Sequence, residues 1–232
     1  MRMQGLRQTT AVGLAALLAL VLATGGALAQ EKPTKPEPGV PEIFTLEGKF
    51  VRIAYNDEGY VSLGYQLANR SVGEEWMRLE IGVTSRSGNQ KLKREAFSIE
   101  TPDNERISLA TQDEYTDAYL KALDMRADVI KDSINYFPPE ATRACRIGFF
   151  TDAADTRAMA FDQFDVGPQR ACLGRIYFHV PSGIAHGQHW LNVKFEDSMV
   201  RVPFRILTKD EEKEFSKTWK DIKKEHEKAF KK

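Results

Sequence analysis

The chain of 232 residues has little of several things, and each scarcity excludes something. It has two cysteines, too few for a cysteine-rich metal module or a disulfide-dense miniature scaffold. It has no net charge at pH 7, so nothing in its balance favours nucleic acid. After the first 29 residues no apolar run approaches the ~20 residues of a membrane-spanning helix. No Gly-x-Ser-x-Gly elbow, His-Glu-x-x-His pair or phosphate-binding glycine loop occurs, which lowers the expectation of an enzyme. No cofactor is expected.

What is present begins with an address. Arg2 and Arg7 precede an apolar run from Ala11 to Ala23, and Ala27-Leu28-Ala29 is the small-x-small pattern that a signal peptidase accepts. Residues 1–29 are therefore read as a secretory signal peptide, and the mature protein is expected in the periplasm or outside the cell. No cysteine stands at the end of the apolar run, where a lipid would be attached, so a lipid anchor is not indicated, and no membrane span is expected after cleavage. In an oxidising compartment an even pair of cysteines favours a disulfide, here Cys145 with Cys172. Closing a loop of about 28 residues stabilises by roughly 3–4 kcal/mol in the chain-entropy description.

Residues 30–45 carry prolines at 33, 36, 38 and 41 among charges and read as an extended linker. Strand signals follow over 46–207. Val61, Leu63, Tyr65 and Leu67 alternate with polar or small residues, as do Met77, Leu79, Ile81 and Val83. Asn69 to Gly73 supplies turn chemistry between them, which predicts an antiparallel pair. Further strands are expected at Phe50–Tyr55, Leu92–Ile99, Ile147–Phe150 and Arg175–Val180. The clearest pair closes the domain. Leu191, Val193 and Phe195 alternate with Trp190, Asn192 and Lys194, and Val200 to Ile206 follows after Glu196-Asp197-Ser198. Pro203 cannot donate to a ladder, which places the last strand at an edge or a bulge.

Pro181 to Gln188, then an aromatic-led strand, a tight turn and a last strand, resembles the closing hairpin of bacterial immunoglobulin-like domains. The likeness covers about Arg175 to Leu207, and no tryptophan lies between the cysteines as in antibody domains. It implies a mainly β, antiparallel two-sheet immunoglobulin-like sandwich, a fold that usually binds or spaces rather than catalyses.

Two segments depart from β. Thr111 to Glu114 is a capping box that opens a helical insertion over about 111–135. Tyr115, Tyr119, Ala122, Val129 and Ile130 share one arc, with Asp117, Lys121, Asp124 and Asp128 opposite. Arg126 lies within the apolar arc, either snorkelling its head to solvent or forming a buried ion pair or an anion contact. Thr208 to Glu211 is a second capping box, opening an amphipathic helix over 208–232. Its stripe of Phe215, Trp219, Ile222, His226 and Phe230 faces away from its lysines, so it is expected to dock on protein, either its own domain or a partner.

Candidate chemistry is sparse. His186 and His189, with His179 nearby, are weak metal candidates without a third ligand. The acidic residues Asp152, Asp155, Asp162 and Asp165 lack the glycine turn and closing glutamate of a calcium loop. Trp190, Tyr177 and Trp76 fall on strand faces that read as wet, where they could stack on sugar, anchor a protein, or lie beneath the helices. The resulting expectation is an exported, non-catalytic domain that binds another envelope protein. The alternative is a carbohydrate-binding module using these aromatics.

Overall fold

The computed structural model describes residues 43–130, 133–151 and 159–230. The expected signal peptide, the proline-rich segment up to Glu42, Asp152, Asp155 and the side chains of Ile222, His226 and Phe230 lie outside that description.

The chain is mainly β. Strands β1 (Ile43–Gly48), β2 (Val51–Tyr55), β3 (Gly59–Gly64) and β4 (Trp76–Ser85) form an antiparallel meander. The first of them begins inside the segment expected to be linker. β5 (Gln90–Lys93) and β6 (Phe97–Glu100) are separated by a 3-10 turn at Arg94–Ala96, so the single strand expected over 92–99 is two. Then come β7 (Arg106–Ser108), β8 (Arg143–Ile147), β9 (Gln163–Val166), β10 (Arg170–His179), β11 (Gly187–Lys194) and β12 (Met199–Ile206). The sheet orders are β1-β2-β3-β4-β10-β8, β12-β11-β6-β7 and the small pair β5-β9.

Both expected hairpins form. β3 pairs antiparallel with β4, and β11 with β12. The helical turn α1 (Gln66–Asn69) replaces the tail of the expected 61–67 strand and buries Leu67 and Ala68. β12 is an edge strand, so the missing N–H of Pro203 interrupts no central ladder. Inner-face residues of the large sheet (Ala54, Val61, Leu63, Leu79, Ile81, Ile176 and Phe178) join Phe97, Ile99, Leu191, Val193, Val202 and Phe204 of the four-stranded sheet in one core. Each buried aliphatic or aromatic side chain contributes roughly 1.5–3 kcal/mol before entropy is subtracted.

One pair departs from the antiparallel expectation. β8 lies parallel to β10, with Cys145 directly opposite Cys172, and the two are disulfide-bonded across 4.2 Å between Cα atoms. The chain leaves the sheet after β8, makes β9, and returns in the same direction.

The outer face of the large sheet is not wet. The insertion after β7 covers it as a third layer. Ser62 Oγ donates to the Ile134 carbonyl at 2.9 Å. The Phe137 ring sits over Gly82, where a Cβ would lie 2.8 Å from its Cζ, so only glycine admits it. Where a continuous helix was expected there are two, α2 (Gln112–Asp117) and α3 (Lys121–Val129). The Thr111–Glu114 capping box is present. Between the helices Tyr119 takes φ 49°, a left-handed conformation that ends the first helix and re-aims the second. The apolar arc is therefore out of phase: Leu123 and Ala127 are buried, whereas Tyr119 and Val129 are exposed. Arg126 forms an exposed two-pronged ion pair with Glu74, one prong at 2.6 Å.

The last element, α4 (Lys209–Phe230), opens on the expected Thr208–Glu211 capping box. Glu211 accepts from Arg205 at 2.6 Å and Glu212 pairs with Lys49 at 3.1 Å, which fixes its first turn to the sheets. No described helix is long and apolar enough to cross a membrane.

Candidate functional site

The register of β4 and β10 sets Arg78 opposite Tyr177 on the outer face of the large sheet. The Arg78 side chain is 1% exposed, so its charge has to be answered locally. Asp124 of α3 approaches Nη1 at 3.2 Å, and Glu80 approaches Nη2 at 3.3 Å. The same Asp124 carboxylate accepts from the Tyr177 hydroxyl at 2.6 Å and from the Tyr115 hydroxyl at 3.0 Å. Burial, then the neighbouring Asp124 charge, pushes the Tyr177 phenol well above the usual tyrosine range. It therefore acts as a fixed hydrogen-bond donor rather than as a base.

Three rings pack around this cluster, with centroids of Tyr115 and Tyr177 4.8 Å apart and of Phe150 and Tyr177 4.9 Å apart. Below them the buried Arg94 places its guanidinium 4.9 Å from the Phe150 centroid and donates to the carbonyls of Ala110 and Phe149, both at 2.7 Å. The floor is thus held by rings and charge-assisted hydrogen bonds, with little freedom to rearrange.

Above that floor, between α3 and the β8–β10 pair, opens a cleft of about 560 Å³. Its rim carries Lys121, Met125, Asp128, Arg146 and Arg175. Arg175 pairs with Asp128 at 3.5 Å. Lys121 and Arg146 are exposed and have no carboxylate partner among the described residues. The arrangement suits a polar ligand surface: fixed rings beneath, and unpaired positive charge at the edge.

Of the residues expected as an aromatic binding face, Trp76 and Tyr177 share the outer face of the large sheet, whereas Trp190 lies on the other sheet. Tyr177 is 2% exposed, a floor residue beneath the insertion rather than a wet platform. Trp76 is half-buried and stacks on His179 at 5.0 Å, and His179 faces Glu75 at 3.6 Å. Trp190 lies on the other sheet beneath the Arg201 guanidinium, 4.7 Å from its ring centre. Arg201 donates to Asn192 at 3.1 Å, which in turn donates to Glu100 at 3.1 Å, so a polar network occupies that face.

The histidines separate as well. His189 points inward, is buried, and stacks on Phe204 at 5.2 Å, while His186 is exposed in the preceding loop. Among the described residues no three metal-ligating side chains gather. Asp162 lies 3.5 Å from Arg94, and Asp165 lies 3.9 Å from Arg170. Phe215 and Trp219 are half-buried and stand apart from the main core.

Sequence reasoning missed Arg78, Arg94 and Asp124. Arg78 alternates with Met77 and Leu79 as a solvent-facing residue would, and Asp124 falls opposite the apolar arc. The available signal was the insertion itself: two amphipathic helices must cover a sheet face, and a charge on that face then needs a carboxylate from the helix. Comparison with known proteins gives no matching family, no similar curated protein and no similar solved structure.

Proposed function

We propose that this chain is an exported, non-catalytic immunoglobulin-like domain that binds another protein of the cell envelope through its helical insertion. The observation that carries the reading is the exposure of Tyr119 (81%), Met125 (63%) and Val129 (86%) on that insertion. Large apolar side chains gathered on one surface element mark an interaction face, and methionine adapts to varied partner shapes. The adjacent cleft adds Lys121 and Arg146, which supply electrostatic specificity at a rim.

The Cys145–Cys172 bridge supports export, since such bonds persist in oxidising compartments. The closing β11–β12 hairpin and the antiparallel sheets support the immunoglobulin-like reading. A binding role rather than catalysis is supported by the Asp124 cluster, whose carboxylate is engaged by two tyrosines and an arginine.

The test is a photoreactive residue placed at Met125 or Val129, with Lys194 as control, in cells exporting the protein. A discrete protein adduct at the first two positions and not the third, lost when Lys121→Glu and Arg146→Glu are combined, is expected. Absence of position-specific adducts, together with glycan binding that disappears in Trp190→Ala, would replace this reading with the carbohydrate one.

A further inference from the structure

A second depression, sharing no lining residue with the charged cleft, occupies about 520 Å³ beside β2 and β3. Tyr55 and Tyr60 are cross-strand partners, and their rings stack with centroids 5.8 Å apart and planes 15° apart. Phe137 continues the row 6.3 Å from Tyr60. Pro138, Pro139 and Pro168 form the walls, with the exposed Glu140 at their end. The Arg86 guanidinium lies 5.0 Å from the Tyr55 ring centre, anchored by donation to the Asn56 carbonyl at 2.7 Å. Arg86 has no carboxylate partner among the described residues.

Rows of aromatic rings with an edge charge recognise the polyproline II helix, whose pyrrolidine rings lie flat on the rings and whose ordering cost is already low. We propose that this groove is a polyproline II site, and that its occupant is the chain's own segment Pro36-Glu37-Pro38-Gly39-Val40-Pro41, which lies outside the described residues.

Position, reach and charge all select that segment. β1 begins at Ile43, whose register partner is Tyr55, the first ring of the row, so the segment is covalently tethered two residues before that ring's partner. Six residues of polyproline II extend about 19 Å at ~3.1 Å each. The distance from Tyr55 across β3 to Thr84 on β4 is two strand spacings, about 10 Å. Glu37, set between two prolines, supplies the carboxylate that Arg86 lacks. Tethering raises the local concentration to the order of mM, so even a weak contact is populated. A proline-rich segment of another protein would then reach the groove only by displacing this one.

The test uses isotope-labelled full-length chain after export. Nuclear Overhauser contacts are expected between the δ protons of Pro36, Pro38 or Pro41 and the rings of Tyr55 and Tyr60, unaffected by dilution. Combining Pro38→Ala and Pro41→Ala, or making Glu37→Lys alone, should shift those ring resonances and leave those of Tyr115 and Tyr177 in place. The proposal is overturned by the absence of these contacts, by ring resonances indifferent to the variants, or by contacts found only between differently labelled copies in a mixed sample. The last result would make the occupant a second copy.

Discussion

Asp124→Ala tests how the insertion is held to the sheet. The substitution leaves the Arg78 charge, 1% exposed, with Glu80 at 3.3 Å as its remaining counter-charge among the described residues, and strips the acceptor from two tyrosine hydroxyls. Removing one partner of a buried pair costs about 3–5 kcal/mol. Asp124 is itself 23% exposed, and partial solvent screening favours the lower end of that range. For a domain of this size each kcal/mol moves Tm by about 2–4 °C, so a fall of roughly 6–12 °C is expected by calorimetry. Asp124→Asn, which keeps an acceptor, should fall between wild type and alanine. Combining Arg78→Met with Asp124→Leu should recover most of the loss, because the uncompensated charge leaves with its partner. A shift below about 2 °C for Asp124→Ala, or a double variant less stable than the single one, would refute the argument that a buried arginine anchors the third layer.

Three further outcomes are expected. Alkylation of the unreduced protein should label neither cysteine, and combining Cys145→Ala with Cys172→Ala should cost about 3–4 kcal/mol while a folded near-ultraviolet spectrum remains. Burial holds the His189 imidazole below its usual pKa against the opposing pull of the Gly187 carbonyl, so the folded state binds fewer protons than the unfolded one. Stability is then full above about pH 6.5 and falls below it; His189→Phe should flatten that fall in urea titrations, and an unchanged slope would count against this account. In α4, Thr208→Ala should cost about 1 kcal/mol through the lost cap. Trp219→Ala should cost less, because the described ties of this helix to the sheets are made by its first turn; the reverse order of effects would show that the aromatic stripe docks on the sandwich.

Where local chemistry decides local structure, reading the sequence was enough. Both capping boxes, the β3–β4 and β11–β12 hairpins, the edge position of Pro203 and the cysteine pairing follow from residues close in sequence or from simple parity of cysteines. The failures are non-local. Alternation in β4 and β10 correctly separates two faces and leaves open whether helices cover the second one; that Phe137, Ile134 and α3 do so over Tyr177 depends on contacts far apart in sequence. The helix break at Tyr119 carries no glycine or proline signal, since the strain is borne by a tyrosine. The strand expected over 92–99 is broken at Arg94, which lies in a 3-10 turn and donates to two carbonyls distant in sequence. The parallel β8–β10 pair has no local signature at all, as its connection passes through β9.

The position of the disulfide changes what reduction would do. It joins neighbouring strands rather than the two sheets, and β8 is the outermost strand on its side. Cutting it does not open the sandwich; it frees the rim strand to peel away, and β10 then presents a fresh row of unpaired backbone donors and acceptors. A chain that reaches a reducing environment would thus retain its core while acquiring an adhesive border, so self-association should precede unfolding as the first symptom of losing the bond.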